Sequence, residues 1–97
     1  MSAETGNPAR EAVQIVNNRG LHARASAKFV NMVAMLPAEL TVLVSKDGSE
    51  AAGGSILGLM MLGAAKGDHI TISASGDGAE TVVGQLAQLV EDRFGED

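Results

Sequence analysis

The stretch HITISASGDGAETVVGQLAQLV, residues 69–90, contains a strand, a turn and a helix in succession. Apolar and polar residues alternate through 69–75, which predicts a strand with one buried face and one face in water. Two glycines mark the turn, and Asp77 is placed to cap the helix, with Glu80 three residues later. A half-polar strand joined to an amphipathic helix indicates a sheet that helices cover on one side. The apolar stripe of that helix is formed by Ala79, Val82, Val83, Leu86, Leu89, Val90 and Phe94.

The chain before residue 69 contains the patterns of three more strands and two more helices. Strands are predicted at 12–17, at 49–52 after the Asp47-Gly48 turn, and through Leu40, Val42 and Val44. Helices are predicted at 23–35 and from the glycine pair at 53–54 through Leu62. The order βαββαβα predicts an α+β fold with a mainly antiparallel four-stranded sheet. Residues 1–10 are predicted to be a flexible tail before a single domain at 11–95.

The composition argues against several classes of function. The chain of 97 residues has no cysteine, which removes disulfides, thiolate chemistry and cysteine-based zinc sites. Its two histidines lie far apart without partners at metal-ligand spacing, so we expect neither a metal nor a bound cofactor. A net charge of −5 and an aromatic content of 2% argue against a nucleic-acid-binding module. No apolar run suits a signal peptide or a membrane span, so we expect a cytoplasmic protein.

His22 is the main candidate for chemistry. It lies between a glycine turn and the first turn of a predicted helix, where backbone amides lack partners and the helix dipole is positive. Such a place suits a phosphoryl group, and it favours the uncharged imidazole that acts as a nucleophile. Arg24 is close enough in sequence to pair its planar guanidinium with phosphate oxygens. From these features alone, a simple cap or loop residue remains the alternative.

The two histidines differ in their charged neighbours. Arg19, Arg24 and Lys28 fall between Glu11 and Glu39, and no acidic residue lies in that window. The segment around His22 is therefore a basic island on an acidic protein. His69 starts a strand on its solvent-facing side without a basic neighbour, and we predict that it is an ordinary surface residue.

The short helix before Gly63 contains more apolar residues than it can bury. Six of the seven residues at 56–62 are large and apolar, whereas two helical turns bury only one stripe. The rest should form an exposed patch that docks a partner, unless a loop or self-association covers it. Ser55 is placed as the N-cap of this helix, and a phosphate there would also meet helix-terminal amides.

Two segments of the chain resemble signatures of one family. Gly20-Leu21-His22-Ala23-Arg24 resembles the active-site signature of the histidine-containing phosphocarrier proteins (HPr) of the bacterial phosphotransferase system. Gly54-Ser55-Ile56-Leu57-Gly58-Leu59-Met60-Met61-Leu62-Gly63 resembles the family's second signature, around its regulatory serine. Lys66-Gly67 and Ile70-Thr71-Ile72 also fall where the family has them, so the resemblance covers about residues 12–94.

The resemblance implies an open-faced β-sandwich with three helices on one face of the sheet. It implies that His22 accepts a phosphoryl group on Nδ1 from enzyme I, itself charged by phosphoenolpyruvate, and passes it to enzyme IIA-type proteins. Arg24 would steady the phosphate, and Ser55 would be the site of a regulatory HPr kinase/phosphorylase. Such a protein is a carrier with a covalent intermediate rather than a free-standing enzyme, and we expect a monomer. Partners would dock on a surface formed by Ala23, Ile56, Leu57 and Met60.

The chain departs from the family pattern at two positions. Ala25 stands where the family usually has proline. Alanine allows the backbone conformation that enters the helix but does not enforce it. Gly54 replaces the basic residue common before the regulatory serine, which weakens the case for a kinase. The run at 23–29 and the methionine-rich short helix favour the nitrogen-related or regulatory branch over a sugar carrier. The main competing interpretation is a non-catalytic small-molecule-binding or regulatory domain in which His22 only caps a helix.

Overall fold

The computed structural model describes residues 8–96, and within them the predicted order βαββαβα is confirmed. The strands are β1 (Ala9–Gln14), β2 (Thr41–Lys46), β3 (Ser49–Ala52) and β4 (His69–Ser75). The helices are α1 (Ala23–Ala34), α2 (Ile56–Met61) and α3 (Ala79–Glu91), and a short turn at Arg93–Gly95 follows α3. All strand pairings are antiparallel in the order β1-β4-β2-β3, so the predicted α+β class is also confirmed.

The first strand begins earlier than the sequence pattern predicts. It starts at Ala9, which pairs with Ala74 of β4, and it ends at Gln14. The predicted tail at 1–10 and domain at 11–95 therefore divide the chain inside β1, while residues 1–7 lie outside the described part. The prediction missed this start because residues 10–12 are all exposed, so they lack the alternation that marks a half-buried strand. Backbone pairing with β4 does not require apolar side chains.

The core lies between one face of the sheet and the helices. Helix α3 packs on β1 and β4, and α1 packs on α2. Fully burying each large aliphatic side chain contributes roughly 1.5–3 kcal/mol, so this layer holds the helices on the sheet. The opposite face of β4, with Thr71 and Ser73, is only partly covered, as the alternation predicts. Buried side chains at the centre of the core are Phe29, Val44, Leu59, Ile70, Ile72, Leu86 and Val90.

Two predictions about α3 are wrong. Its N-cap is Gly78 rather than Asp77, and no side chain caps the helix. Gly76 and Gly78 both have positive φ, 119° and 83°, and this backbone path starts the helix one residue too late for Asp77 to cap it. Phe94 is buried as predicted, but it lies in the turn after the helix rather than on the helical stripe.

Candidate functional site

His22 is the N-cap of α1, and its ring accepts a backbone hydrogen bond. The Arg24 amide donates to His22 Nδ1 at 3.3 Å, and the Ser26 amide donates to the His22 carbonyl oxygen at 2.9 Å. A nitrogen that accepts a hydrogen bond has no proton of its own, so in the neutral ring the proton lies on Nε2. The Nδ1 lone pair therefore points toward the N-terminus of α1. His22 therefore does cap the helix, and it does so through Nδ1 as a hydrogen-bond acceptor.

The other ring nitrogen meets a carboxylate that the sequence pattern does not identify. His22 Nε2 lies 3.0 Å from Glu96 Oε1, and the two side chains are only 15% and 16% exposed. The hydrogen bond from His22 holds the pKa of the Glu96 carboxyl below its ordinary value, against the opposing effect of burial. The positive charges of Lys28 and Arg24 lower this pKa further. Glu96 is therefore ionised near neutral pH and brings a negative charge into the predicted basic island.

The segment that carries Glu96 is fixed by three features. Arg93 and Phe94 both have left-handed backbone angles, with φ of 59° and 55°, a conformation that non-glycine residues rarely adopt. The Phe94 ring is nevertheless fully buried, and Lys28 Nζ donates to the Phe94 carbonyl oxygen at 2.8 Å. Lys28 is thus partly engaged in holding this turn rather than being a free member of the basic island.

A buried network supports the loop before His22. Asn17 Nδ2 donates to the Gly20 carbonyl oxygen at 2.9 Å, and the Gly20 amide donates back to the Asn17 carbonyl oxygen. The Leu21 amide donates to the Ala64 carbonyl oxygen at 3.0 Å, which ties the loop to the chain after α2. Ser26 Oγ donates to the Leu21 carbonyl oxygen at 3.2 Å. Both Asn17 and Ser26 are fully buried, so these bonds are shielded from water and fix the position of His22.

Arg24 and Ala23 are both exposed in the first turn of α1. Within residues 8–96 the Arg24 guanidinium forms no ion pair, so it is available to an incoming anion. His69 is exposed on β4 opposite Gln14, which confirms the prediction of a surface residue.

Helix α2 exposes an apolar patch, as its composition predicts. Only Leu59 of this helix is buried, while Leu57 and Met61 are 68% and 77% exposed. Ile56 and Met60 complete the exposed set, which we call the α2 patch. Sequence reasoning did not single out Met61. It also did not single out Met35, which is 86% exposed at the end of α1.

Ser55 is the N-cap of α2, as predicted. Its Oγ accepts a hydrogen bond from the Gly58 amide at 2.9 Å, and its extended backbone is typical of a cap. The side chain is half-buried and directly precedes the exposed Ile56 and Leu57. Modification of this hydroxyl would therefore act on both the helix start and the α2 patch.

Comparison with known proteins decides the family. The family model described as the PTS HPr component phosphorylation site matches residues 9–92. The chain belongs to the HPr family. It is 40% identical over 87 residues to phosphocarrier protein HPr of Neisseria meningitidis, covering 90% of this chain and 96% of that protein. It is 33% identical over 88 residues to phosphocarrier protein NPr of Escherichia coli K12, covering 91% of this chain and 97% of that one.

The solved structures agree with this membership. The crystal structure of HPr-C-His from Thermoanaerobacter tengcongensis matches with a TM-score of 0.84 at 35% identity, covering 92% of this chain and 98% of that one. HPr from Bacillus anthracis matches with a TM-score of 0.79 at 32% identity, covering 86% and 96%. The open-faced HPr fold is thus confirmed, and the protein is an HPr-type phosphocarrier of the phosphotransferase system. These comparisons do not support the competing interpretation as a non-catalytic small-molecule-binding domain.

Two other kinds of feature are absent from the described part of this HPr-family protein. Residues 8–96 contain no cluster of three or more histidine, cysteine or acidic side chains arranged to hold a metal ion. In the same part of the chain, no helix has both the length and the apolar character needed to cross a bilayer.

Gly20 is expected to be essential to the loop of this HPr-family protein. Its φ is 66°, and a Cβ placed on it would lie 2.4 Å from the Ala64 carbonyl oxygen. Gly20→Ala should therefore lower the free energy of unfolding by about 2–4 kcal/mol, from backbone strain together with overpacking. Denaturant unfolding measures this loss. Gly54→Ala is the control, because a Cβ there meets nothing within 4 Å, and equal losses in the two variants would contradict the expectation.

Proposed function

We propose that His22 carries the phosphoryl group of this HPr-family protein on Nδ1. The observation that supports this most directly is that the two ring nitrogens have different hydrogen-bond partners. Nε2 faces the Glu96 carboxylate, while Nδ1 is unprotonated at the N-terminus of α1. Only Nδ1 has both a free electron pair and the positive end of a helix beside it, which is where an anionic group is stabilised.

The transfer step needs no proton to leave the ring. The Nδ1 electron pair forms a bond to phosphorus, while the bond between phosphorus and the donor atom breaks and its electron pair returns to the donor. The Arg24 amide, which donates to Nδ1 in the free protein, then becomes available to a phosphoryl oxygen. The exposed Arg24 guanidinium pairs with the other oxygens through charge-assisted hydrogen bonds. Transfer to the acceptor is the same step in reverse.

The proposed donor is enzyme I charged by phosphoenolpyruvate, and the proposed acceptors are enzyme IIA-type proteins. The α2 patch and the exposed Ala23 provide an apolar surface for both, and the exposed basic residues Arg19 and Arg24 favour encounter with acidic partner surfaces. We place the protein in the cytoplasm as a monomer that presents one site to successive partners. The methionine-rich α2 supports assignment to the nitrogen-related or regulatory branch.

Incubation with phosphoenolpyruvate and enzyme I tests this function. We expect one acid-labile phosphoryl adduct per chain by intact mass, with a phosphorus NMR signal coupled to an Nδ1 nitrogen in ¹⁵N-labelled protein. Omission of enzyme I should abolish the adduct. Absence of an adduct with the complete system, or an adduct that survives acid, would contradict the proposal.

Leu57→Ser tests whether partners dock on the α2 patch. Because Leu57 is 68% exposed, the substitution should barely affect folding, but truncating an apolar side chain at the centre of an interface costs roughly 1–2 kcal/mol of binding free energy. We expect the KM of enzyme I for the variant to rise about 5- to 30-fold with little change in kcat. Met35→Ser is the control, since Met35 is even more exposed but lies outside α2. A KM that rises equally in both variants would argue against this surface.

We also propose that Ser55 is a regulatory phosphorylation site for an HPr kinase/phosphorylase-type enzyme. A phosphate on Oγ would replace the cap to the Gly58 amide and place negative charge directly before Ile56 and Leu57. Charge beside an apolar docking surface weakens docking through desolvation. The adduct made with ATP and such a kinase would survive acid, unlike the adduct on His22, and Ser55→Ala should not form it.

A further inference from the structure

We propose that Glu96 is a positioning residue for His22, and that its carboxylate keeps the ring proton on Nε2 so that Nδ1 stays the nucleophile. This inference rests on the proposed role of His22. It gives a chemical purpose to a residue that lies 74 positions away in sequence and outside both family-like signatures. The contact with His22, and no sequence pattern, singles this residue out.

The ring is held at both nitrogens. The Arg24 amide donates to Nδ1 at 3.3 Å, and Nε2 donates to Glu96 Oε1 at 3.0 Å. A ring flipped by 180°, or the neutral tautomer with its single proton on Nδ1, would break both bonds at once. The contact with Glu96 is mostly covered by protein, so water and salt compete with it less than with a surface pair. Two opposed bonds of this kind specify one orientation and one tautomer.

The position of Glu96 is determined by the chain that precedes it. The Glu96 amide donates to the Arg93 carbonyl oxygen at 2.8 Å, which closes the left-handed turn. The buried Phe94 ring and the bond from Lys28 fix that turn against α1. Strained backbone of this kind persists only where the surrounding structure stabilises it. The backbone that carries Glu96 is thus held in place by packing and hydrogen bonds, and this directs the carboxylate toward His22.

The charge of Glu96 also fits the reaction. When the Nδ1 electron pair bonds to phosphorus, the ring becomes cationic while Nε2 keeps its proton. A carboxylate hydrogen-bonded to that N–H stabilises the cation without accepting the proton, as the aspartate does in serine protease triads. The groups that face Glu96 are His22, Lys28 and Arg24, and all three favour the ionised carboxylate. Glu96 Oε2 is buried and has no hydrogen-bond partner within residues 8–96.

The Glu96→Gln variant removes the negative charge of the Glu96 side chain while nearly keeping its shape. The amide is nearly isosteric, but its NH₂ group donates to an unprotonated Nε2 and so permits the tautomer with the proton on Nδ1. We expect the rate at which His22 is phosphorylated, which we call loading, to fall roughly 10- to 150-fold, in line with the removal of one hydrogen bond to a charged group. Glu91→Gln is the matched control, because it makes the same change at an exposed residue of α3.

Loading is measured with two phosphoryl donors. One is phosphoenolpyruvate with enzyme I, and the other is phosphoramidate, a small donor whose P–N bond breaks to release ammonia without any protein partner. Slower loading of Glu96→Gln with both donors supports positioning. A defect with enzyme I alone would overturn it, because Glu96 would then act in docking, and equal rates for Glu96→Gln and Glu91→Gln would overturn it as well.

Nitrogen NMR of the unphosphorylated protein gives an independent reading of the tautomer. The expected result is a proton on Nε2 of His22 in the wild type and a mixture with Nδ1–H in Glu96→Gln, with His69 unchanged in both. An unchanged His22 tautomer in the variant would overturn the inference. If phosphoramidate loads the wild type while enzyme I does not, the proposed partnership fails but the role of Glu96 is still tested.

Discussion

His22→Asn should form no acid-labile phosphoryl adduct with phosphoenolpyruvate and enzyme I. Asparagine is among the preferred N-cap residues, so the start of α1 should be retained while the nucleophilic nitrogen is removed. An amide nitrogen has no electron pair available for attack on phosphorus, so the loss of loading should be complete rather than partial. The measurement is intact mass after incubation, read at neutral pH and again after acid.

The remaining histidine provides the control for this variant. His69 lies on β4, away from any helix N-terminus, and His69→Asn should load like the wild type. Retained helical circular dichroism would show that His22→Asn is folded. An acid-labile adduct that persists in His22→Asn would exclude His22 as the carrier of the phosphoryl group.

Phe94→Ala should destabilise the fold by about 3–5 kcal/mol, the usual cost of emptying a buried phenylalanine site. The Phe94 ring is 1% exposed, and the backbone at this residue has a positive φ that the buried ring helps to stabilise. Removal of the ring should also release Glu96 from His22, so loading should slow under conditions where the variant is still folded. Denaturant unfolding gives the first quantity and phosphoramidate loading gives the second.

Phe94→Leu is the matched variant for this prediction. Leucine refills most of the volume, so we expect a destabilisation of only about 1–2 kcal/mol and a loading rate close to that of the wild type. If Phe94→Ala cost less than about 1 kcal/mol, far below the usual range for a buried aromatic, the turn at Arg93–Gly95 would not be part of the cooperative fold. Normal loading by folded Phe94→Ala would show that the turn at Arg93–Gly95 is not needed to position His22, and would contradict the prediction.

The fold was largely predictable because its signals are local. Alternation from His69 to Ser75 and the helical spacing in α3 are read from consecutive residues, and both match the observed elements. The start of β1 was not predictable in this way, because Arg10 and its neighbours join the sheet through backbone bonds to β4. The cap of α3 was mistaken because left-handed glycines, rather than the aspartate, direct the chain into the helix.

In the candidate site, too, residues with local signals were predictable and residues that act through long-range contacts were not. His22, Arg24 and Ser55 were identified because each lies at a helix start, within a few residues of the groups that define its surroundings. Glu96 was not identified, since its contact with His22 spans 74 residues and no local pattern marks it. The buried role of Asn17 was missed for a related reason, because its sequence context indicates only a turn. Long-range contacts of this kind follow from the fold and are read only once it is known.

The central place of β4 in the sheet has a consequence for the nascent chain. Among residues 8–96, strand β1 pairs only with β4, so the strand that leads into the His22 loop has no sheet partner until residues 69–75 have been synthesised. Helix α3, which covers β1 and β4, emerges from the ribosome later still. A ribosome-bound fragment that ends before β4 therefore has the histidine but not the surrounding sheet and helix, and competence to receive phosphate should appear only after β4 and α3 have emerged.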